Sequence, residues 1–540
     1  MLPSNQTTRH ETAIPRLAPQ GARAFRRLAA AGLPVVFFAG TALSFVVSAS
    51  PASAGATTWY AYAAGAARLP VSCPKTSVPS KRCTLAEALA DASAGAIVEL
   101  ATPGSKGHYR GNWAIDTGGT FVAQPLTIKA APGIARPVLD GNHGKHVGCQ
   151  TKTCSGPVLT IGSDVHVVLH GITIENAAGS GKGGAIENSS GGVLTVSAST
   201  FSGNSAADGG AIDNGDKGGG ILVVSASTFI DNTATSDGGA IDNADKGSGA
   251  LTVSGSLFSQ NRAGDGGAID DSDNGGSGAA TVSGSTFHGN IVSRDGGAID
   301  NGDKGSGTLT VSRSSFTANA SHSDGGAIDN GDKGSGNLFL STSTFSADTA
   351  SVDGGAIDNA DSGKGTIKVS VSTFSGNGAS ADGGAIDTGD RGAAAASVWE
   401  STFTGNSATG HGGTVDNSDH GGSAAIWVAA NIFNGSCDQP GGAWFDEGHN
   451  TSNNPTCFNV ATGQTDVTSA GTSELGPLGH HGGPTKTIEP LASSPAVGVV
   501  PNGAAATLNG SAVKLCPTTD QRGVRSASGK ACNAGSVQSS

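Results

Sequence analysis

A string close to Gly-Gly-Ala-Ile-Asp-Asn returns nine times between residues 183 and 417, with its Ile or Val at 186, 212, 241, 269, 299, 328, 357, 386 and 415. The last four intervals are all 29 residues. A fixed period of this length, built from short apolar runs and glycine corners, marks a solenoid in which each repeat is one coil stacked on the last. When the repeats are aligned on Phe201, Phe229, Phe258, Phe287, Phe316, Phe345, Phe374, Phe403 and Phe433, the residues seven and five earlier are almost all aliphatic, as in Leu309 with Val311. That alternation has period two and predicts a strand with those residues inward. Three residues after the Phe stands Asn, at 204, 232, 261, 290, 319, 377 and 406, with Asp348 as the acidic substitute. Stacked asparagines at a coil corner are expected to hydrogen-bond between coils. The Gly-Gly-Ala-Ile strand completes the coil, its Ile expected inward and the neighbouring Ala and Asp outward. Parallel strands about 4.8 Å apart would make nine coils roughly 40 Å long. Frequent glycine and the absence of an i, i+3, i+4, i+7 apolar pattern exclude a helical repeat.

The flanks differ from the array. Ala96 to Leu100, Leu126 to Ala130, Val158 to Ile161 and Val165 to Leu169 read as strands of irregular coils. Before them, Thr84-Leu-Ala-Glu87 is a capping-box pattern opening a short helix with Leu85, Ala88 and Leu89 on its apolar face. Such a helix would cover the apolar end of the solenoid. The expected fold class is therefore all-β, a parallel β-helix with an N-terminal helical cap and an irregular, disulfide-bonded C-terminal region. The expected organisation is a signal peptide over 1–54, an N-terminal segment over 55–95, irregular coils over 96–182, regular coils over 183–435 and a C-terminal capping region over 436–540.

Export is expected because Arg23, Arg26 and Arg27 precede the mostly apolar Leu28 to Val47, and Ala52-Ser53-Ala54 offers a cleavage site. No later run of 18 apolar residues exists, so no membrane insertion is expected after cleavage. Without residues 1–54 the chain keeps 26 basic and 42 acidic side chains, a net charge of −16. That charge, with no Lys/Arg run, argues against nucleic acid and anionic lipid as partners. All eight cysteines lie outside the array, and ordering by proximity pairs Cys73 with Cys83, Cys149 with Cys154, Cys437 with Cys457 and Cys516 with Cys532.

The combination of Phe-x-x-Asn and Gly-Gly-Ala-Ile, as in Phe201 to Asn204 followed by Gly209 to Ile212, resembles the repeat of the polymorphic outer membrane protein family over roughly 174–435. The resemblance implies a right-handed parallel β-helix and a surface or adhesive role. The C-terminal membrane barrel of that family has no counterpart after 435. Cys83-Thr-Leu-Ala-Glu-Ala-Leu resembles the N-terminal cap of secreted β-helix proteins. Leu475-Gly-Pro-Leu-Gly, Thr519-Asp-Gln-Arg-Gly and Cys532-Asn-Ala-Gly resemble the C-terminal region of choice-of-anchor Q domain proteins. Asn533 stands where that pattern has Asp, which is expected to loosen a pairing with Arg522. With no sorting motif or hydrophobic tail before Ser540, release into the medium is the expectation.

Each regular coil repeats Asp-x-x-Asp after its Ile: Asp213 with Asp216, Asp242 with Asp245, Asp270 with Asp273, Asp300 with Asp303, Asp329 with Asp332, Asp358 with Asp361, Asp387 with Asp390, and Asp416 with Asp419. A further acid precedes most Gly-Gly pairs, at 208, 237, 265, 295, 324, 353 and 382. Stacking makes these into carboxylate ladders whose neighbours repel by about 1 kcal/mol even in water-like dielectric. Two readings stay open: turn-forming Asp neutralised by Lys217, Lys246, Lys304, Lys333 and Arg391, or Ca²⁺ bridging successive rungs. No cofactor is otherwise required.

On the broad strand, the outward position reads Thr195, Val223, Thr252, Thr281, Thr310, Phe339, Lys368, Ser397 and Trp427. Phe339, Lys368 and Trp427 interrupt the Thr row that an ice-binding face would need. Trp399 and Trp427 are expected on the same outer face, either stacking on sugar rings or covered by 436–540. Irregular polar residues near the ends, His143, His146, His166 and His170, then His411, His420, Asp446, Glu447 and His449, match no hydrolase or lyase spacing. The leading expectation is a secreted or cell-surface, non-catalytic β-helix that binds an extracellular glycan or cell-surface partner. A polysaccharide lyase or glycoside hydrolase on the same scaffold is the alternative, by fold analogy.

Overall fold

One coil shows how the chain builds itself. In the coil that opens at residue 299, Ile299–Asn301 is a short strand, Thr308–Ser312 a broad one, Ser315–Thr317 carries the Phe, and Ala320–Ser321 closes the turn. Leu309, Val311, Phe316 and Ile299 are fully buried, so the four apolar columns face one interior. The computed structural model describes residues 57–63, 83–102, 105, 107–115, 124–145, 155–179, 181–215, 217–418, 421–438, 441–458, 466–468 and 474–538. The expected signal peptide, Asp216, Asp419, His146, His420, Cys73, Cys149 and Cys154 lie outside the described residues.

Among the described residues the coils stack in parallel and in register, giving two 14-stranded sheets, a nine-stranded sheet that includes the Ile-Asp-Asn strands and a seven-stranded sheet of two-residue strands. Phe287 pairs with Phe316 and Phe316 with Phe345, their rings stacked at 4.7 and 4.6 Å. The structure is thus the expected all-β parallel β-helix. Its helical cap is Leu85–Ala90, with the Thr84–Glu87 capping box formed and Leu85 and Ala88 buried in the core.

Polar ladders hold the corners. Asn261 Nδ2 donates to Asn290 Oδ1 at 3.0 Å and to the Phe229 carbonyl at 3.1 Å, and the same pattern repeats in the neighbouring coils. A serine ladder turns the broad strand into the Phe strand. Ser285 N–H donates to Ser314 Oγ at 3.2 Å, while the Ser314 hydroxyl donates to the Ser312 carbonyl at 2.9 Å. This lets Arg313, Thr342 and Val371 occupy a left-handed corner at φ 50°, 49° and 49° without glycine.

A second amide ladder, not anticipated from the sequence, follows the inward Asn of Ile-Asp-Asn: Asn214 Nδ2 donates to Asn243 Oδ1, and Asn243 Nδ2 to Asp271 Oδ1, both at 2.6 Å. Asp271 has no amide hydrogens to pass on, so its Oδ2 and the Asn301 Oδ1 are both buried without a partner. Asp348 breaks the corner ladder in the same way, with Oδ2 orphaned. Burial pushes both carboxyls up to about 7. Folded-state protonation therefore stabilises fully below pH 4, where the unfolded Asp is also protonated, and is lost as pH rises to 7. Asp271→Asn is expected to gain about 1–3 kcal/mol at pH 8 and little at pH 4. Urea titrations of both chains at the two pH values check this, and an equal gain at both would refute it.

The C-terminal region closes the other end. Ala443–Asp446 adds a last strand to the broad sheet, and disulfides join Cys437 to Cys457 and Cys516 to Cys532. Cys83 is also disulfide-bonded. Residues 474–538 fold back along the coils, where Val500, Leu508, Leu515 and Ala534 cluster with Ala429 and Ile432. Gln521 Nε2 donates to the Ser343 carbonyl at 3.0 Å, fixing this return. Arg522 pairs with Asp520 and Glu489 at 2.7 and 2.5 Å, and Asn533 instead accepts from Gly498 N–H. No described helix is long and apolar enough to cross a membrane.

Candidate functional site

The Ile-Asp-Asn sheet carries the acids. Each Asp of this strand points away from the core, yet Asp242, Asp270, Asp300, Asp329 and Asp358 are at most 1 % exposed. The expectation of outward Ala and Asp is corrected here: Ala298 and Ala327 are buried as well. The reason lies in the glycines. The first Gly of each pair takes a left-handed φ, 60° at Gly383, and doubles the chain back so closely that a Cβ there would sit 2.6 Å from Asp387 Cβ. The turn thereby folds over the acid-bearing strand. Each regular coil contributes a central Asp, such as Asp300, an Asp before Gly-Gly, such as Asp295, and a second Asp after the strand, such as Asp303. The register Asp270, Asp300, Asp329, Asp358 lines the central acids along the axis.

Bases reach the two flanking files. Lys246 pairs with Asp245 at 2.9 Å, Lys304 with Asp273 at 3.8 Å and with Asp303, Lys333 with Asp332, and Arg391 with Asp361 at 2.8 Å. Arg294, which sequence reasoning did not single out, bridges Asp237 and Asp265. The central file is different. Both carboxylate oxygens of Asp242, Asp270, Asp300, Asp329 and Asp358 are buried without a hydrogen-bond partner. Burial first, and then neighbouring Asp carboxylates, push all five well above the usual carboxylate range. At the first coil Lys182 reaches the groove, 3.6 Å from Asp213 and 3.7 Å from Asp208.

Oxygens of Asp237, Asp270 and Asp273 all lie within 4.8 Å of one another, as do those of Asp387, Asp390 and Asp416. The Asp-x-x-Asp pair of one coil thus meets a third acid from an adjoining coil.

A second cluster lies in the irregular coils. Arg110, Asp140 and Glu175 share one file. His108 Nδ1 sits 3.0 Å from Asp140 and 3.7 Å from Glu175, and Arg110 Nε donates to Asp140 at 3.0 Å. Burial raises Asp140, but hydrogen bonds from His108, the Asn142 N–H and Arg110 outweigh it and hold the carboxyl low. Burial, helped by Asp140, moves Glu175 up. Nearby His143 was noted in the sequence; this set was not, because His108 and Arg110, Asp140 and Glu175 come from three coils at least 30 residues apart and belong to no repeat.

Trp399 and Trp427 do share the outer face of the broad sheet, on paired strands. Both are partly buried against the C-terminal cluster, and Trp427 stacks on Phe445 at 4.9 Å. Phe445 and Phe339 remain exposed on this face, with Lys368 Nζ 5.9 Å from the Phe339 ring centre. Beside Trp399, Glu400 is buried at the tight corner and burial pushes it up to about 9.

Residues 226–244 and 371–389 match the Chlamydia polymorphic membrane protein (Chlamydia_PMP) repeat. Each match spans one Phe-x-x-Asn and the following Gly-Gly-Ala-Ile. A crystal structure of pectate lyase Pel9A is similar over 89% of this chain and 96% of that chain, with 12% sequence identity and a TM-score of 0.32. A likeness at that score carries no inference. No curated protein matches the chain.

Proposed function

We propose that this protein is an extracellular, surface-associated β-helix that binds a partner without catalysis, a glycan being the expected class. The observation that supports it most is the outer face of the broad sheet. Thr195, Val223, Thr252, Thr281 and Thr310 follow one another in strand register, each half-exposed, with exposed Phe339 next in line. Such a column is rigid before binding, so a regular extended partner meets side chains that lose little freedom on contact. The disulfides fit an oxidising compartment. A glycan array probed with the wild type and with a Thr252→Glu, Thr281→Glu, Thr310→Glu variant tests the reading. Binding by the wild type that the variant loses is the expected result; equal binding by both would remove this face from consideration.

A second reading, a polysaccharide-active enzyme, draws support from the Asp140–Glu175 pair, because carboxyls driven in opposite directions are the pattern of acid–base chemistry. Turnover assays on acidic and neutral polysaccharides decide between them. Products that disappear with Glu175→Gln would favour the enzyme.

A further inference from the structure

The central Asp file presents a physical problem that the flanking bases do not solve. Each coil places three carboxylates around the groove against about one Lys or Arg, and those bases end on the flanking Asp. Carboxylates one strand spacing apart repel each other, and more strongly in a closed groove than in water. Five successive members of the central file have both oxygens buried and unpartnered, although buried polar atoms are ordinarily satisfied. At the start of the groove the chain supplies its own cation: Lys182, standing where later coils have Asp before Gly-Gly, sits between Asp208 and Asp213. The next seven coils carry Asp rather than Lys at that position.

We propose that calcium ions occupy the groove between successive coils over residues 237–361, each held by an Asp-x-x-Asp pair of one coil and an Asp from an adjoining one. Asp237 with Asp270 and Asp273 is the clearest instance. Ligands on one calcium at 2.3–2.6 Å lie at most about 5 Å apart, and these three offer oxygens within 4.8 Å of one another. All are hard oxygen donors, with no thiolate or imidazole among them, which disfavours zinc and the later transition metals. Flexible, many-oxygen coordination suits calcium better than magnesium, which demands near-ideal octahedral geometry. Arg294 donates to Asp237 Oδ1 at 3.2 Å, so this site shares one ligand with the flanking bases. One divalent ion per coil would offset the excess of roughly two negative charges, and would satisfy the orphaned oxygens of the central file. This proposal is independent of what the broad sheet binds.

The test uses the full exported chain. Equilibrium dialysis against calcium after chelation counts retained ions, and hydrogen exchange of the strands around Asp270, Asp300 and Asp329 is followed with 1 mM calcium, with 1 mM magnesium and with chelator. Two or more calcium ions per chain are expected, with exchange in these strands slowed about tenfold or more by calcium. An Asp270→Asn, Asp300→Asn, Asp329→Asn variant is expected to be more stable than the wild type in chelator and to lose the calcium response. Fewer than two ions per chain, exchange that is the same in calcium and in chelator, or an equal response to magnesium would overturn the proposal. The wild-type comparison decides the matter even if the variant does not fold.

Discussion

Phe316→Ala is expected to cost about 3–5 kcal/mol, measured by urea titration followed by far-UV circular dichroism. The ring is fully buried and lies between Phe287 and Phe345, both stacked within 4.7 Å and nearly parallel to it. Removing it leaves a cavity that strand register prevents from closing, because the coils above and below are fixed by backbone hydrogen bonds. A solenoid couples each coil chiefly to its neighbours, so the lesion also weakens the link between the two halves of the array. The unfolding transition should broaden or split. Tryptophan fluorescence will under-report the loss, since the described indoles, Trp59, Trp113, Trp399, Trp427 and Trp444, stand toward the ends of the chain. Hydrogen exchange across residues 308–346 is the more direct readout. A single, unbroadened transition within 1 kcal/mol of the wild type would mean that the stacked rings are not the continuous core described here.

Gly326→Ala is expected to be at least as damaging. A Cβ at this position would meet the Gly355 carbonyl oxygen of the next coil at 2.2 Å. That oxygen is backbone, and the coil spacing leaves it nowhere to move. Insertion therefore forces the coils apart or twists the turn that covers the central Asp, at a cost of several kcal/mol. The informative control is Gly284→Ala. Gly284, unlike Gly326, has a left-handed φ, 56°, but nothing lies within 4 Å of its Cβ position, and Ala198 and Ala226 already occupy the same corner. The control should therefore stay within about 1 kcal/mol of the wild type. Thermal melts of the two variants side by side test the point; a loss in Gly326→Ala no larger than in Gly284→Ala would show that contact between coils does not limit this position.

The sites divide according to whether their members repeat. The corner Asn ladder was legible because Phe-x-x-Asn recurs in nearly every coil, so an element of one coil predicts its contact in the next. The inner ladder through Asn243, Asp271 and Asn301 was missed, although its Asn is just as periodic. It sits beside an Asp read as facing solvent, and period-two logic alone does not say what the loops cover. The Lys and Arg partners of the flanking acids were half visible. Lys246, Lys304 and Lys333 follow their Asp directly in sequence, whereas Lys182, Arg294 and Arg391 reach an Asp of another coil.

From the sequence alone came the period, the inward columns and the all-β stacked architecture, because a regular parallel array repeats one local pattern and each coil's nearest neighbour is nearly a copy of itself. Only the tertiary structure decided what lies over those columns. Whether Asp300 faces water or a closed groove depends on a glycine turn folding back; whether Trp399 and Trp427 are free depends on residues 474–538 returning across the coils; and whether His108, Asp140 and Glu175 meet depends on two irregular windings. Those contacts join residues distant in sequence and unlike in kind, so no local periodicity encodes them.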